Sequence, residues 1–152
     1  MPEFRFRLDT LLRVRKSTRD RRRLLLAESQ RADDRLQEQL LRLQAERNRL
    51  LSDRRQAAGT GAIDVGRLVE AERYDAALRS QEAEIDRQRA SLATEIQARR
   101  EKLLQADREA KALEKLRERQ QSRHRGEEER RASKQLDEAA AQTCSSHFAP
   151  GF

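Results

Sequence analysis

The chain has 152 residues, of which 40% are charged, 36% belong to the hydrophobic set and only 3% are aromatic. Its formal net charge is +7, and it has no Trp, five Gly and two Pro. So few large apolar side chains cannot fill an ordinary globular core, and so few turn formers do not suit a many-stranded sheet or a flexible linker. What remains is rich in Ala, Glu, Leu, Arg and Gln, all strong helix formers. The composition points to long helices, with disorder as the competing reading that periodicity must decide. The lone Cys144 allows no internal disulfide and reads as a tail thiol in a reducing compartment. No apolar run nears the ~20 residues that span a bilayer, and Arg interrupts each apolar stretch of the N-terminus, so a cytoplasmic protein is expected.

In chain order, the first expected element is a helix over residues 1–58 with a basic N-terminal end. Leu36, Leu40, Leu43 and Leu50 recur in steps of 4, 3 and 7, and Leu8, Leu12 and Leu26 extend the seam backwards. Arg15, Arg19, Arg22, Ser29 and Asp33 interrupt it. Residues 59–66 hold three of the five Gly and read as the turn, with Asp64 or Thr60 as N-cap of the next helix. A second, longer helix is expected over residues 67–142, and a disordered tail over 143–152. Its seam is Leu78, Ile85, Leu92, Ile96, Leu103, Ala106, Ala110 and Leu113, with Glu82, Arg89 and Arg99 falling on it. The sustained 3/4 alternation is the coiled-coil pattern and favours order.

These elements predict an all-α fold, a long two-helix antiparallel coiled-coil hairpin in which residue i faces roughly residue 122 − i. Leu12 then meets Ala110, and Leu36 lies near Ile85. Gly126 is the expected weak spot of the second helix. A hairpin buries its own seam, so a monomer is expected.

The charge is uneven. Residues 1–31 carry ten basic and four acidic side chains, and residues 99–119 carry eight and five. In a hairpin these two segments lie side by side, making the termini end basic. A basic end implies an acidic protein surface, a membrane or nucleic acid. Arg-rich helices bind phosphate weakly, but zinc-ligand patterns, recognition-helix modules and aromatic platforms are all missing, so no specific nucleic acid is expected. Phe4, Phe6, Leu8, Leu11 and Leu12, interleaved with Arg, offer an interfacial helix. The competing reading is background composition, since 29 of the 34 basic residues are Arg. Neither His124 nor His147 has metal-ligand spacing, and no phosphate loop or pocket-forming pattern is present; no catalytic, cofactor-binding or metal-binding residue is expected, and no cofactor.

Two stretches carry a resemblance. The opening Phe4-Arg5-Phe6-Arg7-Leu8-x-x-Leu11-Leu12-x-x-Arg15 is one. The other is Leu103-Leu104-x-Ala106-x-Arg108-x-x-Lys111-x-Leu113-Glu114-Lys115-Leu116-x-Glu118-Arg119, followed by Lys134-x-Leu136-Asp137-Glu138-Ala139. Together they resemble the flagellar export protein FliJ family over nearly the whole chain. Lys16, where the family often has an acidic residue, and Ala132-Ser133, where it usually has Glu-Gln, depart from the pattern. The resemblance implies a non-enzymatic stalk-like coiled coil at the cytoplasmic side of the inner membrane. It implies that the termini end enters the ring of the export ATPase FliI, for which Arg13, Arg15, Arg19, Arg22, Lys111 and Lys115 are the expected contacts. It also implies that the coil engages the export gate protein FlhA, for which the stripe Tyr74, Leu78, Gln81 and Ile85 is the candidate, and that export chaperones are partners. The rivals are the equivalent stalk protein of a virulence-type secretion system and a generic Arg-rich scaffold or RNA-binding coiled coil.

Overall fold

The computed structural model describes residues 3–59 and 61–147. Two helices account for nearly all of them: α1, Asp9–Ala58, and α2, Val65–His147. Among the described residues there is no strand. The helices pack antiparallel within each of two compact units, one made of residues 19–105 and one of residues 1–18 with 106–152. The architecture is thus the expected all-α helical hairpin.

α1 begins where the Leu12 amide bonds the Leu8 carbonyl, and Asp9 places an acid in its first turn. It ends at Ala58, where the Gly59 amide reaches back to the Gln56 carbonyl. Gly61 then takes a left-handed φ of 76°, a conformation that costs side-chain-bearing residues energy. Asp64 is the N-cap of α2: its Oδ1 accepts the Gly66 amide at 3.0 Å, and its carbonyl accepts the Leu68 amide. The helix therefore starts at Val65, two residues before the expected 67. Gly66 fits this first turn because a Cβ there would stand 3.3 Å from the capping Oδ1. Thr60, the alternative cap, lies outside the described residues.

At the far end α2 continues past 142 to His147. Thr143 and Ser145 donate their hydroxyls to carbonyls three or four residues back, so polar residues expected to fray the chain stay within the helix. Residues 148–152 of the expected tail lie outside the described residues. The helix runs unbroken through Gly126.

In the unit built from residues 19–105, Leu78 and Ile85 are the buried apolar residues among those described, and the polar Ser29 and Asp75 are buried as well. Several of the polar and charged residues that interrupt the apolar seam, Asp33, Glu82, Arg89 and Arg99 among them, are cross-links between the helices. Arg89 Nε donates to Asp33 at 2.9 Å, and Arg47 Nε donates to Asp75 at 2.9 Å. Both pairs obey the i to 122 − i register. Arg47 also reaches Glu82 at 3.5 Å. Arg99 donates to the Leu25 carbonyl at 2.6 Å and to the Ser29 hydroxyl, which itself bonds the Leu25 carbonyl.

The other unit has a different interior. Phe6, Leu12, Ala106 and Ala110 are buried. Here the ion pairs Lys16–Glu114 (3.1 Å) and Arg15–Glu109 (2.6 Å) cross between helices beside the apolar core. Residues 3–6 precede any helix, yet Phe6 is buried and the Phe4 ring sits 5.7 Å from that of His124.

Candidate functional site

The six cations expected at the ATPase do not form one cluster. Arg13, Arg15, Lys111 and Lys115 belong to the unit that holds both termini, and Arg19 and Arg22 to the other. Arg13 is exposed and paired with Asp9 four residues earlier at 3.0 Å. Lys111 is exposed and paired with Asp107 at 2.9 Å. Lys115 is exposed on the same helix. Such i, i+4 pairs on a helix surface contribute a few tenths of a kcal/mol, so Arg13 and Lys111 can exchange partners at little cost. Arg15 is different: half-buried, it bonds Glu109 across the helix pair and has a structural role. Arg19 is half-buried with Nε on Asp20 at 3.2 Å, and Arg22 is half-buried on the seam.

The candidate gate stripe also divides. Leu78 is 3% exposed and Ile85 is buried, so both pack towards α1. Tyr74 is 45% exposed, and its hydroxyl donates to Glu46. Gln81 is exposed and, with Ile85, Gln39, Leu43 and Gln88, lines a shallow surface hollow of about 430 Å³. Tyr74, Gln81 and Gln88 succeed one another at seven-residue steps, so they mark one flank of α2.

The reading of Phe4 and Phe6 as part of an interfacial helix is corrected by the structure. Both precede α1, and both spend their rings on packing within their own unit. Among the described residues no helix is long and apolar enough to cross a membrane, and no group of His, Cys, Asp and Glu could hold a metal ion.

The family described as Flagellar FliJ protein matches residues 4–147. The chain belongs to the FliJ family. It is a flagellar export-related coiled-coil protein, of a family that serves the export apparatus without catalysis. Searches of curated proteins and of solved structures gave no match.

In this FliJ chain the turn is a further surface that periodicity could not reveal. Ile63, Val65, Leu68 and Val69 are all exposed there. Beside them a hollow of about 370 Å³ is lined by Leu50, Ala57, Ala58, Ile63, Leu68 and Ala71 among others. The signal in the sequence was Ala62-Ile63 and Val65 set among glycines, which a search for seam positions passes over. The cross-helix pairs were equally visible as residues and equally missed as partners. Among them, Arg89 has its pKa raised further, first by the hydrogen bond to Asp33 and then by the charges of Asp33 and Asp86.

Proposed function

We propose that this FliJ family chain acts as a cytoplasmic stalk-like coiled coil that binds and stimulates the export ATPase FliI and couples it to the export gate protein FlhA. Export chaperones are its further partners, and it associates with the inner membrane peripherally, through the export apparatus. The family match across residues 4–147 carries the reading and favours a flagellar over a virulence-type system. Supporting it, Arg13, Lys111 and Lys115 stand exposed in the unit that holds both termini, available to an acidic ring surface.

The geometry refines the test. Reversing Arg15 would break a cross-helix bond, whereas Arg13, Lys111 and Lys115 have no cross-helix ion pair among the described residues. The triple variant Arg13→Glu, Lys111→Glu, Lys115→Glu should lose stimulation of the ATPase while its circular dichroism melt stays nearly unchanged. Full stimulation by the folded variant refutes the docking role. For the gate, Tyr74→Ala with Gln81→Ala should lose FlhA binding and keep ATPase stimulation, because neither side chain is buried. Leu78 and Ile85 are excluded from that variant because their loss would unfold the seam.

A further inference from the structure

The two flanks of the unit that holds both termini are chemically unlike. On one side of buried Leu12, Asp9 and Lys16 of α1 meet Arg117 and Glu114 of α2, with Arg13 paired to Asp9 on its own helix. The contacts are Lys16–Glu114 at 3.1 Å, Arg13–Asp9 at 3.0 Å and Arg117–Asp9 at 3.9 Å. This is the ion-paired flank expected of a two-stranded coil. At 100° per residue, Leu8, Leu11 and Val14 fall on the other side of Leu12. Leu116 falls on the matching side of α2, opposite to Glu114. The Arg15–Glu109 bond confirms that these two sides meet, since Arg15 and Glu109 lie on them. Leu8, Leu11, Val14 and Leu116 are 36–54% exposed.

A two-helix pair needs only its central seam apolar. An apolar arc that also covers one flank is the pattern of a helix with a second neighbour. The charge around the arc specifies what that neighbour carries. Arg119 and Arg123 follow Leu116 on the same side of α2, both exposed and neither in an ion pair among the described residues. Glu127, one turn beyond, shares a surface hollow with Arg123, Arg5 and Glu3, so Arg119 is the cation nearest the arc with no carboxylate lining beside it. We propose that this flank binds an amphipathic helix of a partner protein, with its apolar stripe on Leu8, Leu11, Val14 and Leu116 and acidic side chains towards Arg119 and Arg123. A second copy of this chain would set those arginines against their own kind. A membrane would need the aromatic anchors that Phe4 and Phe6 have already committed to packing. The surface is distinct from Arg13 and Lys111, which lie on the ion-paired side, and it borders Lys115, one turn before Arg119 on the same face, so it adds a binding site beside the proposed ATPase contact.

The probe is a fluorescent three-heptad helical peptide with Leu at the two seam positions and Glu elsewhere, titrated with the full chain. Its controls are the same peptide with Lys for Glu, and one of the same composition with the Leu stripe scrambled. The Glu peptide should bind, and added salt should weaken it. Val14→Glu with Leu11→Glu, both at exposed positions, should weaken binding about tenfold or more, equivalent to ~1.4 kcal/mol, with helicity retained. Arg119→Glu with Arg123→Glu should weaken it comparably without touching the apolar arc. Equal binding of Glu and Lys peptides, or of the scrambled one, overturns the proposal. So does binding to phosphatidylglycerol vesicles by a chain that ignores the Glu peptide. Self-association in sedimentation that Val14→Glu abolishes assigns the flank to a second copy instead. Because none of these variants alters Arg13, Lys111 or Lys115, failure here leaves the ATPase reading intact.

Discussion

The two units of the hairpin use the same helical repeat in different ways. In the unit of residues 19–105, charged residues occupy the seam itself: Arg47 holds Asp75, and Arg89 holds Asp33. In the unit holding both termini, the interior is apolar, and ion pairs such as Lys16–Glu114 stand on a flank. Leucines pack against leucines in many offsets, but a seam arginine meets a carboxylate in few. The first arrangement therefore specifies register, at a desolvation cost, and the second supplies cohesion. The antiparallel choice follows from the same pairs. In a parallel pairing of two chains Arg89 would face Arg89 and Asp75 would face Asp75, whereas the hairpin sets each against its opposite.

The largest test of that contrast is in the apolar unit. Leu12 is the largest side chain to be fully buried among the described residues. Leu12→Ala should cost about 3 kcal/mol, the usual range for a core leucine that leaves a cavity. Leu36→Ala, at a half-buried seam position of the other unit, should cost clearly less. Denaturant unfolding followed by circular dichroism measures both. Equal losses would mean that the units do not differ in how they hold together.

Charge reversal sharpens the contrast. Asp33→Arg and Arg89→Asp should each lower the melting temperature, and the double variant should recover most of the loss, because the pair is remade in reverse. The same exchange at Lys16 and Glu114 should change little in any of the three variants, since partly exposed pairs are commonly worth ~0–1 kcal/mol. A double variant as unstable as the singles would show that the Asp33–Arg89 position does not set register.

Much of this was legible in the sequence, and its gaps have physical causes. The 3/4 repeat and the turn fixed the pairing, and Leu12 and Ala110 are both buried, as that register requires. Asp33, Arg89 and Glu82 looked like breaks because periodicity scores a charge on the seam as a fault. Whether a charge is a fault depends on what stands opposite, 56 residues away for Asp33 and Arg89. The candidate sites suffered from the converse problem. Arg13 and Arg15 are alike as letters, but one residue differs from the other by 200° around the helix, which separates an exposed cation from a cross-helix bond. Leu8 and Leu11 were legible as apolar residues set among arginines, but Val14 and the aliphatic turn lie off the seam and its period does not mark them.

At the turn, Asp64→Ala should cost about 1 kcal/mol, the usual value of an N-cap. It removes the acceptor of the Gly66 amide. The loss should appear as faster amide exchange in the first turns of α2, with exchange near Leu12 unaffected. Uniform acceleration throughout the chain would show that the turn and the unit with the termini open together.

The smallest effects come from two glycines that differ only in backbone. A Cβ built on Gly61 or on Gly126 meets nothing within 4 Å, so neither site is short of space. Gly61 has a φ of 76°, where an L side chain is strained, and Gly126 lies within α2. Gly61→Ala should therefore destabilise the turn by about 1 kcal/mol, while Gly126→Ala should stabilise the helix by a similar amount through lower backbone entropy in the unfolded chain. The gain should be local. Side chains from Glu129 to Ser145 are all exposed, so helix order there depends on propensity more than on packing. Hydrogen exchange should slow roughly fivefold beyond residue 126, the rate equivalent of ~1 kcal/mol, with the main unfolding transition barely moved. Unchanged exchange in Gly126→Ala would mean that something other than this glycine governs the end of α2. A Gly61→Ala variant as stable as the parent would mean that the turn can relax out of its left-handed geometry.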